Sequence, residues 1–329
     1  MAQIVLGVGV SHSPQLSTPP EVWARHAARD RATSELLGLD GKFHTYDEIL
    51  ASADPAISID PGVWQEQHAR MQERIDHIAR ELAAARPNMA IVVGDDQREL
   101  FREDGIAALA VSLAEELRDY PPTPEEFTTL PVGLAEASWA QHASEPDRYP
   151  GHPAFAEHLA RFVTNSGFDL CVMREQPQGR SLGHAYTFAR LRLGLGPDIA
   201  MVPLFLNTYF PPNVPSPERC HAFGQRLRDA VEAWPERSRV VIVASGGLSH
   251  FIVDEVLDRG VLEAFRARDT TLLHEVTKGK MRSGSSEILN WITAAAALDD
   301  LEMELLDYIP AYRTEAGTGV GIGFALWHR

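Results

Sequence analysis

Cysteine is scarce: the 329-residue chain has two, Cys171 and Cys220. Two thiols exclude a disulfide framework and a four-sulfur zinc site, and a reduced, cytoplasmic setting is the expectation. No run of about 18 apolar residues occurs, so no membrane-spanning helix is expected. The start, Met1 to Leu6, has no basic stretch ahead of its short apolar run, so no secretory leader is expected. Positive charge is also in short supply. Thirty Lys and Arg face 46 Asp and Glu, a formal net charge of −16. Such a chain is a poor non-specific binder of nucleic acid and is repelled by anionic membranes. Several catalytic signatures are missing. There is no Walker-type phosphate loop, no GxSxG elbow and no HExxH helix. Internal repeats and low-complexity tracts are absent as well.

What is present is a globular composition, 44% apolar and 23% charged. Short apolar runs at Ile4–Val10, Met89–Val93, Leu170–Met173, Ile199–Leu206 and Arg239–Ala244 predict strands buried on both faces. Val320–Trp327 carries glycines at period two (Gly317, Gly319, Gly321, Gly323), which predicts a strand with one bare face that backbone or ligand approaches closely. Trp64, Met71, Ile75, Ile78 and Leu82 recur at helical spacing and predict a helix over 62–86. Cys220, Phe223, Leu227, Val231 and Trp234 predict another, opened by Ser216-Pro217-Glu218. Strands alternating with helices imply an α/β fold, a central and mostly buried sheet flanked by helices. Residues 11–60, 118–153 and 207–217 are expected as long loops. One catalytic domain over 1–329 is expected, with 118–153 as a lid-like insertion.

In an open α/β sheet ligands bind outside the carboxyl ends of the strands. Three predicted strands deliver polar groups there: Ser11-His12-Ser13-Pro14, Gly94-Asp95-Asp96-Gln97 and Ser245-Gly246-Gly247-Leu248-Ser249-His250. Each piece alone also reads as structure: a bonded histidine, an acidic turn or helix cap, a glycine turn. Together they suit a non-haem iron site, in which two histidines and one carboxylate leave positions open. Glu287, in Ser283-Gly284-Ser285-Ser286-Glu287 before the apolar run Ile288–Leu298, is the candidate carboxylate, and a first-turn glutamate also favours the helix dipole.

With those residues in view, the chain resembles the class III extradiol ring-cleavage dioxygenases, of the protocatechuate 4,5-dioxygenase catalytic-subunit type. GVGVSHSPQLSTPPE and VVGDDQRELF are most similar to the 3-O-methylgallate dioxygenase branch. The likeness runs from the first strand through Asn207–Pro212 to Tyr308–Ala311. It implies one Fe(II), with His12 and Glu287 as ligands, His250 as the acid/base histidine and His184 as a second pocket histidine. The family's second iron histidine comes after an Asn-Asp pair, but here the chain reads Asp95-Asp96-Gln97. Gln97 or His44 then completes the site, with Asp96 as a third choice. The implied reaction is extradiol cleavage of a catechol-type ring (gallate, 3-O-methylgallate or protocatechuate-like) by O2. A carboxylated ring needs a cation in the pocket, and Arg180, Arg282 and Arg313 are the candidates. Two alternatives stay open: a metal-dependent hydrolase or lyase on the same scaffold, and a non-catalytic binding relative. A homo-oligomer is the default, and some relatives need a small accessory subunit.

Overall fold

The computed structural model describes residues 1–329. Its strands, in chain order, are β1 (Gln3–Val10), β2 (Leu36–Leu37), β3 (Phe43–His44), β4 (Met89–Gly94), β5 (Leu109–Ser112), β6 (Glu116–Asp119), β7 (Asp147–Pro150), β8 (Cys171–Met173), β9 (Ala200–Leu206), β10 (Arg239–Ser245), β11 (Glu302–Tyr312) and β12 (Gly319–His328). Eight of them form one sheet in the order β11-β12-β1-β10-β4-β9-β5-β8. The centre, β1-β10-β4-β9, is parallel. The β12 and β5 neighbours join it antiparallel. This is the mixed α/β architecture that the apolar runs imply, with helices on both faces.

Alternation along the strands sorts side chains to two cores. Met89, Ile91 and Val93 face one side, with Val240 and Ile242. Ala90 and Val92 face the other, with Val241 and Val243. The first core takes helices Pro153–Asn165, Pro217–Glu232, Glu255–Ala267 and Ile288–Ala297. The second takes the 25-residue helix Pro61–Ala85 and helix His184–Arg192. Trp64, Met71, Ile75, Ile78 and Leu82 are all buried on the long helix, as their spacing predicts.

One predicted strand, Leu170–Met173, is not buried on both faces: it forms the edge strand β8, with Cys171 and Val172 exposed. Two other expectations need correction. Backbone does approach closely at Gly319, where a Cβ would lie 2.2 Å from Ala311 O, but further along β12 the bare face receives the protein's own side chains: a Cβ on Gly321 would meet Asp258 Oδ2 at 1.9 Å, and one on Gly323 would meet Leu248 and Trp291. A Cβ on Gly9 of β1 would likewise lie 2.3 Å from the Trp291 ring. Gly9 and Gly323 thus seat the Ile288–Ala297 helix, whose Trp291 indole N–H donates to Gly246 O (2.8 Å), while Gly321 makes room for Asp258 of helix Glu255–Ala267. The second correction concerns the expected loops. Residues 11–60 hold helices Pro20–Ala32 and Tyr46–Ser52, and 118–153 holds the β6–β7 ribbon and helices Pro124–Thr129 and Leu134–Gln141. Helix Pro20–Ala32 buries His26 and Asp30 beside Val22, Trp23 and Ala27, so its inner face is not an apolar stripe. Strands β5 and β11 are not evident in the sequence. The first has four residues, and the second is an edge strand interrupted by Glu302, Glu304 and Asp307.

Candidate metal centre and its cavity

His12 lies just beyond β1, Asp95 just beyond β4, and Glu287 ends a 3₁₀ turn, Ser283–Glu287, that leads into the Ile288–Ala297 helix. Strands β1 and β4 both flank β10, so their carboxyl ends are near neighbours. One ligand atom from each of His12, Asp95 and Glu287 lies within 4.8 Å of the others, and all three residues are buried.

The hydrogen bonds around His12 fix its tautomer. Ser245 Oγ donates to Ala185 O at 2.6 Å, so it accepts from His12 Nδ1–H at 3.0 Å. His12 Nε2 therefore presents a lone pair, 3.5 Å from Glu287 Oε2. Burial pushes the His12 imidazolium down to about 4, so the ring is neutral near pH 7. Burial pulls Glu287 up, but the positive charge that His250 and His12 carry when protonated, together with the His250 and Gly247 hydrogen bonds, outweighs it and holds the carboxyl at about 2. A lone pair and a carboxylate thus face each other with no proton between them. Asp95 brings a second carboxylate, raised to about 7 by burial and by Glu287. A buried neutral imidazole with two carboxylates is a donor set for a divalent cation. The outer contacts are those of oriented metal ligands. Gly247 N–H donates to Glu287 Oε2 (2.7 Å), Asn290 Nδ2 to Asp95 Oδ1 (3.1 Å) and Gln97 Nε2 to Asp95 Oδ2 (2.7 Å).

Two further histidines flank this group. His250 Nδ1–H donates to Leu248 O (2.8 Å), leaving Nε2 near Tyr209 OH (3.1 Å) and Glu287 Oε1 (3.2 Å). Burial lowers its pKa, but the Glu287 carboxylate more than compensates and the net shift is upward. His184 opens helix His184–Arg192, with Nδ1 at 2.6 Å and its backbone N–H at 2.9 Å from Glu99 Oε1. Burial opposes its charge, yet Glu99 raises it to about 9. Its ring meets His12 edge-on, centroids 4.6 Å apart.

The sequence candidates are therefore divided. His12, Glu287, His250 and His184 come together. His44 does not: it lies on β3 of a separate ribbon, its Nε2 paired with Asp40 at 3.0 Å. Gln97 comes near but turns its amide nitrogen onto Asp95 rather than joining the cluster. Asp96 accepts the backbone N–H groups of Leu100 and Phe101. Asp95, and not His44 or Gln97, brings a ligand atom within 4.8 Å of His12 and Glu287. Its signal is present in the sequence, as the first residue beyond a strand at the ligand-binding edge. Glu99, Tyr209 and Asn290 have no such signal, since their partners lie 85, 41 and 195 residues away.

A cavity of about 540 Å³ opens on this cluster, lined by His12, His184, His250, Glu287 and Tyr209. That size suits a small organic ligand. Segment 118–153 supplies part of its wall, including Pro122, Val132 and Gln141. Of the candidate cations, Arg180 pairs with Asp104 and Arg282 donates to Gly279 O, both outside this cavity. Arg313 is buried and lines it, as does Arg29. No helix is long and apolar enough to cross a membrane.

Comparison with known proteins adds three findings. Residues 50–323 match the family described as the catalytic LigB subunit of aromatic ring-opening dioxygenase. Gallate dioxygenase of Pseudomonas putida is 30% identical over 164 residues, covering 45% of this chain and 46% of that protein. The chain thus spans about half the length of this curated relative. A crystal structure of an uncharacterized Escherichia coli K12 protein aligns with TM-score 0.46 and 14% identity, over 76% of this chain and 91% of that one.

Proposed function

The chain belongs to the family of catalytic LigB subunits of aromatic ring-opening dioxygenases, and from that premise we propose that it opens a catechol-type ring by extradiol cleavage with O2. His12, Asp95 and Glu287 would hold Fe(II). The observation that carries the reading is the buried His12–Asp95–Glu287 cluster, with ligand atoms within 4.8 Å of one another, whose His12 and Glu287 line a cavity that also holds His184 and His250. Gallate-like and protocatechuate-like catechols are the proposed substrates.

Fe(II), when bound, supplies Lewis acidity toward a ring hydroxyl and a path for electrons to O2. The chain's own residues do the rest. With Nδ1–H committed to Leu248 O, neutral His250 offers the Nε2 lone pair to a ring hydroxyl and takes its proton. The resulting imidazolium has Glu287 Oε1 at 3.2 Å to stabilise it. Returning that proton to a leaving oxygen is the reverse task, and general acid–base help of this kind contributes roughly 10²–10⁴-fold. His184, paired with Glu99 and raised to about 9, is a cationic donor beside the metal-ligand cluster at neutral pH. Tyr209 OH orients His250 before a ligand displaces that bond.

The test is oxygen uptake by protein loaded with Fe(II) under nitrogen, then exposed to air with gallate, 3-O-methylgallate, protocatechuate and an uncarboxylated catechol. Uptake with a new ring-fission absorbance is expected, with at least about 100-fold slower turnover in His250→Ala at an unchanged metal content. No uptake from any catechol at full metal content would overturn the proposal.

A further inference from the structure

We propose that Arg313, His26 and Gln141 form an anion subsite that takes the carboxylate of the aromatic substrate and fixes how the ring enters the site; this rests on the ring-opening reading. The three residues line the same cavity as His12 and Glu287. Each is at least nine-tenths buried: Arg313 and His26 are 3% exposed and Gln141 is 5%. Each also carries side-chain nitrogen without a partner in the protein: Arg313 Nη2, Gln141 Nε2 and both ring nitrogens of His26. A buried donor left unpaired costs roughly as much as a lost hydrogen bond, and three around one cavity point to a ligand that accepts.

Charge decides what kind of acceptor. Arg313 Nε pairs with Asp30 Oδ2 at 2.8 Å, and Nη1 donates to Gln15 Oε1 at 3.0 Å. Asp30 also has Arg29 Nη2 at 3.5 Å. Glu136, the other carboxylate near His26, is occupied by Arg25 and by Gly133 N–H. Two arginines against the one carboxylate Asp30 leave a net positive charge beside the free Nη2. A hydroxyl or methoxy group would accept a hydrogen bond but leave that charge uncompensated. A carboxylate satisfies both, with two oxygens for three donors.

The polarity of the cavity supports this division. The end with the metal-ligand cluster contributes the Glu287 carboxylate among the imidazoles of His12, His184 and His250, while this wall contributes guanidinium, amide and one imidazole and no carboxylate. A catechol carboxylate matches the two, its hydroxyls suited to the first and its anion to the second. Helix Pro20–Ala32 supplies His26 and Asp30, helix Leu134–Gln141 supplies Gln141, and the turn after β11 supplies Arg313. The two buried polar residues that break the apolar stripe of helix Pro20–Ala32 are thereby explained.

The experiment separates binding from turnover. Protein loaded with Fe(II) is titrated calorimetrically under nitrogen, where no ring opens, with 3,4-dihydroxybenzoate and with 3,4-dihydroxybenzyl alcohol. The acid is expected to bind about ten- to a hundredfold more tightly. That ratio should fall toward one in Arg313→Gln/Asp30→Asn, which removes both charges together and leaves no unpaired carboxylate. His26→Leu and Gln141→Leu each remove a donor that has no partner in the free protein, so they keep the test open should the double variant fail to fold. Each should lower the ratio severalfold. A preference for the acid that survives in all folded variants overturns the subsite, as does the lack of any preference in the unmodified protein, even where oxygen is consumed. A preference that depends on these residues upholds it, and oxygen uptake then reports separately on ring opening.

Discussion

Gly284 carries no side chain, yet the position of His250 depends on it. A Cβ there would lie 2.0 Å from His250 Cδ2 and 2.4 Å from Nε2. Ordinary contacts begin near 3.4 Å, so alanine at this site forces the imidazole to move by about 1.4 Å. Its φ lies outside the left-handed region, so the backbone accepts alanine and the clash is the whole perturbation. A displacement near 1 Å can cost about 100-fold in rate, and His250 would lose its alignment with Glu287 and Tyr209. Gly284→Ala should therefore reduce kcat by at least about 100-fold while metal content stays near that of the unmodified protein. Overpacking a buried ring of this kind costs about 1–3 kcal/mol of stability.

A double-mutant cycle isolates the cause. In a His250→Ala background the new methyl group meets no ring. Gly284→Ala should then cost little further stability and no further activity. Urea denaturation and oxygen-uptake rates on the four proteins give both coupling energies. If Gly284→Ala costs as much beside His250→Ala as alone, the glycine acts through the Ser283–Glu287 turn and not through the imidazole, and the reasoning fails.

The site carries two more expected outcomes. His12→Ala, Asp95→Asn and Glu287→Gln should each lower the bound metal measured by plasma mass spectrometry after desalting, while His44→Ala should not; a full metal complement in Asp95→Asn would remove Asp95 from the ligand set. The second concerns acid stability. Burial, then Arg313 and Arg29, push His26 down to about 4 from an ordinary 6.5. Below pH 6.5 the unfolded chain protonates this residue and the folded one does not. Stability from His26 is thus fully present above 6.5 and is lost as pH falls toward 4, a change of roughly 3 kcal/mol. His26→Leu should flatten that limb of the stability–pH curve, and an unchanged curve would mean that His26 takes a proton in the folded state.

The sheet centre is legible in the sequence because β1, β4, β9 and β10 are buried on both faces and so read as unbroken apolar runs. Legibility fails where burial and hydrophobicity part company. β11 is half-exposed at the sheet edge, and helix Pro20–Ala32 turns His26 and Asp30 inward. The small helices near 46–52 and 124–129 are set by capping boxes, Thr45–Glu48 and Thr123–Glu126, whose Thr-x-x-Glu signature is present in the sequence. The glycines of β12 do mark a bare face, but only the packing shows that Asp258, Leu248 and Trp291 fill it.

The site divides along the same line. Residues just beyond a buried strand (His12, Asp95, His250) can be located from the end of each apolar run, because chain direction puts them at one edge. Asp95 reads equally as a turn residue and as a ligand because both roles use the same residue type; what separates them is the 4.8 Å approach to His12 and Glu287. Residues that act through a distant partner carry no local mark. Glu99 is one surface-type glutamate among many until His184 packs on it. Arg180, Arg282 and Arg313 are equivalent as letters. Arg180 bonds Asp104 and Leu100 O, and Arg282 donates to Gly279 O on an exposed turn. Arg313 lies just past the end of β11, is held on one edge by Asp30, and retains a buried nitrogen without a partner. A guanidinium kept buried with a donor unspent is stable only if the folded state is normally met by an anion or if the fold tolerates the cost, and the ratio of acid to alcohol binding decides between them.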